Sequence, residues 1–268
     1  MNIVKRKSIR TYTCENLKED HKNKIVEYIS NHKNLIGINN NKITIKLRES
    51  DGTIGGKIGT YGMINNAPAY LVMICKNDKD NMLDCGYVFE KMVLFLQELG
   101  LGTCWLAGTF NRKQLMIEED FDSDYFIPII SPVGYAVDKM PMKEKIVRII
   151  PKSDKRKEFD SLFFYKDFHT KISNDKLRHT LEMVRLAPSA SNKQPWRVVM
   201  DEDDCAHFYI KRNPSYLGTN SLGFDVQWLD IGIALSHYEI ASNKNEFYYT
   251  QPNINIPFEH MEYVISVK

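Results

Sequence analysis

The sequence predicts an α+β fold made of two related lobes. Three features predict it. Apolar strands and apolar helices alternate in both halves of the chain. A short pattern recurs, because Asp84-x-Gly86 and Asp230-x-Gly232 each open an apolar helix. Between the halves, residues 138–160 turn basic, with Lys139, Lys143, Lys145, Arg148, Lys152, Lys155, Arg156 and Lys157, and mark the lobe boundary. With 268 residues, 43% of them hydrophobic, the chain has ample material for a buried core.

Balanced charge narrows the functional classes. Thirty-six Lys and Arg against 34 Asp and Glu leave a net charge of +2, which calls for neither nucleic acid nor a membrane surface. The opening MNIVKRKSIR has no apolar run, so no secretory leader is expected, and no apolar run is long enough to span a bilayer. Five scattered cysteines without a CxxC spacing fit free thiols in a reducing cytoplasm. Seven histidines show no metal spacing, so no metal site is expected.

In the first half, Arg6, Ser8 and Arg10 alternate within KRKSIRTY. Extended, they share one side and could face one anion; equally, they could form a solvated basic terminus. Leu17, Ile25, Val26 and Ile29 give residues 17–30 an amphipathic helical pattern. Ile43, Ile45 and Leu47 alternate with polar residues as in a strand. AYLVMIC, from Ala69 to Cys75, reads as a central strand. The stretch from Asp84 to Gly108 organises the rest. Val88, Met92, Phe95, Leu96 and Leu99 recur at helical spacing, Asp84 can cap the start, and Gly100 suits the left-handed residue that ends a helix. Then GLGTCWLAG either turns into the next strand or carries its backbone close to a flat ligand. A short helix and loop over 111–125 and a strand within Ile127–Val137, interrupted by Pro132 and Gly134, complete the half.

Two nucleotide motifs fail. In DGTIGGKIGTYG, Lys57 is followed by Ile58, and Asp51 stands where a phosphate loop needs its first glycine. Gly100-Leu101-Gly102 lacks a third glycine at Trp105 and ends a helix rather than beginning one.

The second half opens with a helix over Asp175–Leu186, with Leu177, Leu181, Val184 and Leu186 on its apolar side, stopping before Pro188. APSASNKQPWRVVM then packs short polar side chains between two prolines, ahead of a strand from Trp196 to Met200. That is the composition of a binding loop or of a stiff surface loop. A strand over Cys205–Ile210, a helix over Asp230–Ala241 and a strand over 261–267 follow. The second half has no GLGTCW counterpart, and the first has no APSASN counterpart.

Taken together, RKSIRTY, GLGTCWLAG, PVGY and APSASNKQPW resemble the FMN-dependent nitroreductase family over essentially the whole chain. Their order resembles its single-chain branch, in which two lobes mimic the usual homodimer. The resemblance implies a nitroreductase-like α/β sandwich, with lobes 1–160 and 161–268 and one complete FMN site at their interface. In the family, one subunit supplies the Arg-x-Ser-x-Arg segment, the stretch after GLGTCW and a late basic pair, and the other supplies the Pro-Ser-x-x-Asn loop. Carried over by motif, Arg6 and Ser8 meet the phosphate, helped by Arg156 or Lys157, with Lys7 in the same segment. Arg10 lies near the pyrimidine edge. Leu106, Ala107 and Gly108 bring backbone to flavin N5. Pro188, Ser189, Ala190 and Asn192 touch the ring from the second lobe.

Two departures stand out. Ala107 offers only backbone where the family often has a glutamate or a small residue. The family's polar helix over the pyrimidine side has no recognisable counterpart, so Lys57 and Tyr61 take its place in sequence order. The chemistry suits the assignments. Arginine and serine donors suit a phosphate dianion, and a cation near N1 and O2 makes flavin reduction easier. Hydride transfer then needs no catalytic acid or base, and Cys104, among apolar neighbours, reads as a packed thiol. The expected activity is ping-pong transfer from NADH or NADPH through FMN to a small-molecule acceptor, a nitroaromatic, quinone or similar compound. A flavin reductive dehalogenase, an enone reductase and a flavin-binding module without turnover are the alternatives.

Overall fold

The computed structural model describes residues 2–50, 60, 62–119, 122–137, 155–213 and 222–268. Lys57, Tyr61 and most of the basic crossing segment lie outside them. A four-residue helix, α1 (Asn2–Lys5), leads into a segment laid along the first sheet, where Ser8 bridges Thr103 and the Ile9 N–H donates to the Thr103 carbonyl. Helix α2 (Glu19–Ser30) buries Ile25 but turns Val26 outward. Adjacent helical positions lie about 100° apart, so only one of the two can face the core. Leu17 is buried just ahead of the helix.

Strand β1 (Thr44–Glu49) pairs antiparallel with β2 (Ala69–Lys76), the apolar run whose first seven residues are all buried. Helix α3 (Lys79–Glu98) follows. Its cap is Asp78, which accepts from the Asn81 N–H, and Asp84 sits fully buried inside the helix. This corrects the expected cap: the helix begins earlier because Met82 and Leu83 already pack into the core. Gly100 ends the run at φ +73°, in the left-handed region. Next come β3 (Gly102–Thr103), α4 (Arg112–Glu119), β4 (Tyr125–Phe126) and β5 (Ile130–Gly134). Pro132 and Gly134 lie within β5 rather than interrupting it. The neighbouring β3 pairs only with Val133 and Gly134, so no ladder on that side needs the N–H that Pro132 lacks.

In the second half, β6 (Phe163–Tyr165) precedes α5 (Asp175–Arg185), which Asn174 caps. Strands β7 (Trp196–Met200) and β8 (Ala206–Lys211) lead to α6 (Val226–Ser242), and β9 (Phe247–Tyr248) and β10 (Met261–Val267) close the chain. Asp225 caps α6, and Asp230, expected at its start, is buried inside it.

The two sheets share one plan. The first runs β1-β2-β5-β3, with β4 added along β2; the second runs β6-β7-β8-β10-β9. Without β4 in the first sheet and β6, which joins β7 in parallel, in the second, both sheets place their strands in chain order first, second, fourth, third, all antiparallel. The faint sequence repeat is therefore a repeat of topology. Yet a single hydrophobic cluster gathers Leu71 and Met73 of β2, Val88 and Met92 of α3, Phe208 of β8 and Leu235 of α6, so the halves share their interior. Among the described residues, no helix is long and apolar enough to cross a membrane.

Candidate functional site

Helices α3 and α6, apolar nearly all round, each bury a few polar residues that a core helix would exclude. Glu90 and His237 are fully buried. His237 Nδ1 lies 2.8 Å from the Met183 carbonyl, which can only accept, so Nδ1 carries a proton. Its Nε2 lies 2.9 Å from Glu90 Oε1. One more proton must therefore lie between imidazole and carboxylate. Trp105 Nε1 donates to Glu90 Oε2 at 2.9 Å, and Arg6 Nε stands 3.8 Å from Oε1. Glu90 thus anchors two residues that reach the surface of a cavity, Arg6 and Trp105.

That cavity measures about 450 Å³, within the roughly 300–1,000 Å³ of small-molecule sites. Arg6, Ser8 and Arg10 form one wall, and the alternation seen in the sequence does put them on one side. The stretch GLGTCWLAG reaches the cavity from Cys104 onward, while Gly100 and Gly102 do not line it. A Cβ on Gly102 would lie 2.7 Å from Ile9 Cγ1, so the missing side chain lets the N-terminal segment lie flat on β3. Cys104 lies beside Ser8, and burial pushes its thiol pKa up, as suits a packed thiol. Leu106, Ala107, Gly108 and Thr109 continue the wall.

The opposite wall is the loop after α5. Pro188, Ser189, Ala190, Ser191 and Asn192 line the cavity. Ser191, Asn192 and Gln194 all have positive φ, at 46°, 54° and 45°, which strains non-glycine residues. The loop is held in that form by its own polar groups. The Gln194 N–H donates to Ser189 Oγ, Gln194 Nε2 donates to Asn192 Oδ1, and Arg156 Nη1 donates to Asn192 Oδ1. From below, Asp230 Oδ1 accepts the Ala190 N–H at 2.8 Å.

Of the fifteen residues named from sequence, the cavity brings together Arg6, Ser8, Arg10, Leu106, Ala107, Gly108, Arg156, Pro188, Ser189, Ala190 and Asn192. Lys7 and Lys157 do not line it. Lys157 faces an adjoining cavity, and Lys57 and Tyr61 lie outside the described residues. Sequence reasoning passed over Asp230 and Trp105 as site residues. An acid inside the apolar run DIGIALSHYEIA was the available signal.

Several polar atoms at this cavity are buried without a hydrogen-bond partner: Arg6 Nε and Nη1, Arg10 Nε and Asp230 Oδ2. Burial pushes the Asp230 carboxyl well above the usual carboxylate range, despite the Ala190 bond that opposes it. The site therefore offers two cationic donors on one wall and, on its floor, a carboxyl whose proton burial helps it keep. Buried donors left open in this way suit an anionic group in the cavity. A flavin mononucleotide has such a group in its phosphate, and the cavity's mixed apolar and polar lining suits its flat ring.

Elsewhere, Asp201, Cys205 and His207 come close enough to hold a metal ion. Protein partners already engage them: His207 Nε2 lies 3.1 Å from Asp201 Oδ2, Nδ1 lies 2.7 Å from Ser266 Oγ, and Cys205 Sγ lies 2.9 Å from the Tyr248 hydroxyl.

No curated protein matches the sequence. Among solved structures, a "putative nitroreductase" from Thermotoga maritima shares the fold at TM-score 0.63 and 19% identity, covering 99% of this chain and 91% of that one. A nitroreductase family protein from Clostridium novyi NT is 22% identical at TM-score 0.42, over 53% of this chain and 88% of that one. An FMN-dependent nitroreductase from Clostridium difficile R20291 is 20% identical at TM-score 0.42, over 52% of this chain and 88% of that one. The family model "Putative TM nitroreductase" matches residues 1–242. A match over that much of the sequence means that the chain belongs to this nitroreductase family.

Proposed function

We propose that the protein is an FMN-dependent NAD(P)H oxidoreductase acting by a ping-pong route on nitroaromatic, quinone or similar acceptors. The observation that carries this reading is Arg6. Its guanidinium is buried at the cavity wall, held near Glu90, and keeps Nε and Nη1 open. An arginine so placed, with donors still open beyond its contact to Glu90, suits a further anion in the cavity.

In this reading Arg6 and Ser8 hold the phosphate with Arg156, and Arg10 stands at the pyrimidine edge. The backbone of Leu106 to Gly108 and the loop Pro188–Asn192 enclose the ring from two sides. Bound FMN supplies the chemistry, accepting hydride from reduced nicotinamide and passing electrons to the acceptor. The chain's residues bind, orient and exclude water. Both walls come from one polypeptide, so lobes 1–160 and 161–268 complete the site without a second chain. Five unpaired cysteines support a reducing, cytoplasmic setting.

The test is spectroscopic. Purified protein should carry a flavin spectrum that NADH or NADPH bleaches and an acceptor restores. Flavin that binds but is never bleached would make the protein a binding module. Restoration only by a halogenated aromatic or an enone would move it to those reductases.

A further inference from the structure

Beside the first cavity, and sharing Arg156, Ser191 and Asn192 with it, lies an open cavity of about 560 Å³. Its lining is dominated by cations, with Lys155, Lys157 and Lys193. Two cations converge on one atom there. Lys157 Nζ donates to the Gln194 carbonyl at 3.4 Å, and Arg197 Nη1 donates to the same oxygen at 3.2 Å. Arg197 is only 7% exposed and also donates to the Trp196 carbonyl. Lys211 is tied next to them, its N–H donating to the Pro195 carbonyl.

Elsewhere in this half the cations find acids: Arg178 pairs with Asp160, Arg185 with Glu182, and Arg212 with Asp225 and Glu262. Among the described residues, no carboxylate forms such a pair with Lys157, Lys193, Arg197 or Lys211. Burial, then Arg197, Lys211 and Lys193, push the Lys157 pKa down to about 8. Burial likewise lowers Arg197 to about 10. Like charges gathered around one carbonyl cost free energy unless an anion joins them.

We propose that this second cavity is an anion site for a nucleotide phosphate monoester, the 2′-phosphate of NADPH, and that it makes NADPH the preferred donor over NADH. The proposal rests on the reading of the protein as a nicotinamide-dependent flavoprotein and deepens it. Arg156 and Lys157, adjacent in sequence, then have separate duties. Arg156 faces the cavity assigned to FMN, and Lys157 faces its neighbour. Lys155, Lys157 and Lys193 line the cavity and supply charge that the 2′-phosphate meets, and Lys211 and buried Arg197, which act on Lys157 from outside the lining, reinforce it. The preference should fade as salt screens the exposed lysines.

The test uses FMN-loaded protein, titrated calorimetrically with adenosine 2′,5′-bisphosphate and with adenosine 5′-monophosphate while flavin absorbance is followed. The bisphosphate should bind about ten- to a hundred-fold more tightly, as one or two added charge-assisted hydrogen bonds would give. Lys193→Gln, a change at an exposed position, should narrow that gap, and adding Lys157→Gln should close it. In the exposed Lys193→Gln variant, KM for NADPH should rise relative to KM for NADH. Equal affinities in the parent protein would overturn the proposal, as would a gap that survives both substitutions. Release of FMN by the bisphosphate would assign the cations to the flavin phosphate and overturn it too. Inorganic phosphate binding as tightly as the bisphosphate would remove the nucleotide from the assignment. If the chain takes up no FMN, the functional reading fails by itself, and the same titration still reads whether these cations hold a 2′-phosphate.

Discussion

Gly86 and Gly232 stack against each other's helices at the crossing of α3 and α6. A Cβ on Gly86 would stand 2.0 Å from the Leu229 carbonyl oxygen, and one on Gly232 would stand 2.0 Å from the Leu83 carbonyl oxygen. The contacts are reciprocal, as across a two-fold axis. Glycine lets two backbones touch where any side chain would hold them apart. Gly86→Ala and Gly232→Ala should each destabilise the protein by about 1–3 kcal/mol or more, because backbone atoms rather than a flexible side chain must give way. Urea unfolding measures this. An alanine tolerated at either position with an unchanged midpoint would show that the helices can separate at little cost.

The same pseudo-symmetry explains why one flavin per chain is expected. In the first half, Gly37–Asn41 lies over Asp84 as Ala190 lies over Asp230, but there both carboxylate oxygens are taken up by the loop. Asp84 accepts from the backbone and side-chain N–H groups of both Asn39 and Asn41, and a Cβ on Gly37 would collide with its carboxyl. Tyr249, just beyond β9, donates to Asn39 Oδ1 at 2.6 Å. Flavin extracted from protein of known concentration should come to one per chain, and a value near two would refute the assignment.

Arg6 should distinguish phosphate from ring. Arg6→Ala removes a buried charge-assisted donor, worth about 1.5–3 kcal/mol, or ten- to a hundred-fold in FMN affinity. Riboflavin lacks the phosphate, so its binding should fall far less. Equal losses for both ligands would place Arg6 elsewhere than at the phosphate.

Asp230 predicts a pH dependence. Its folded-state pKa is raised by burial, so the folded protein keeps this proton where the unfolded chain has released it. Stability must then fall as pH rises from about 4, the ordinary carboxylate value, toward the raised one, by up to about 1.4 kcal/mol per pH unit. Asp230→Asn stays neutral throughout and can keep the acceptor for the Ala190 N–H. In flavin-free protein, the gap between variant and parent should shift in the variant's favour between about pH 5 and pH 7. Parallel stability curves would show that Asp230 ionises normally.

Arg10 should set the flavin potential more than the flavin affinity. Its Nε is buried at the cavity without a partner. Arg10→Gln keeps donors and removes charge, so the midpoint potential should fall by some tens of millivolts, with ~30 mV corresponding to about 1.4 kcal/mol for a two-electron couple. FMN should stay bound more firmly than in Arg6→Ala. An unchanged potential with flavin bound would leave Arg10 a structural role.

The strands from Trp196 to Met200 and over 261–267, helix α5 and the end of α3 at Gly100 were all legible in the chain itself. Their signals are local: runs of apolar residues, helical spacing, and a glycine where φ must be positive. The site walls were legible for the same reason, since KRKSIRTY, CWLAG and APSASN are contiguous. Local pattern misplaced both helix starts. Asp84 and Asp230 look like caps, and only the loops folded over them, Asn39–Asn41 over Asp84 and Ala190 over Asp230, show that these acids are buried. Nor could it tell which part of GLGTCWLAG meets the cavity: Ile9, more than ninety residues earlier, fills the space at Gly102, and the lining begins at Cys104. The proton between Glu90 and His237, the pairing of Gly86 with Gly232 and the cations meeting at the Gln194 carbonyl belong to the tertiary structure alone. Each depends on the distance between residues of different segments, and no periodicity along a chain encodes a distance across it.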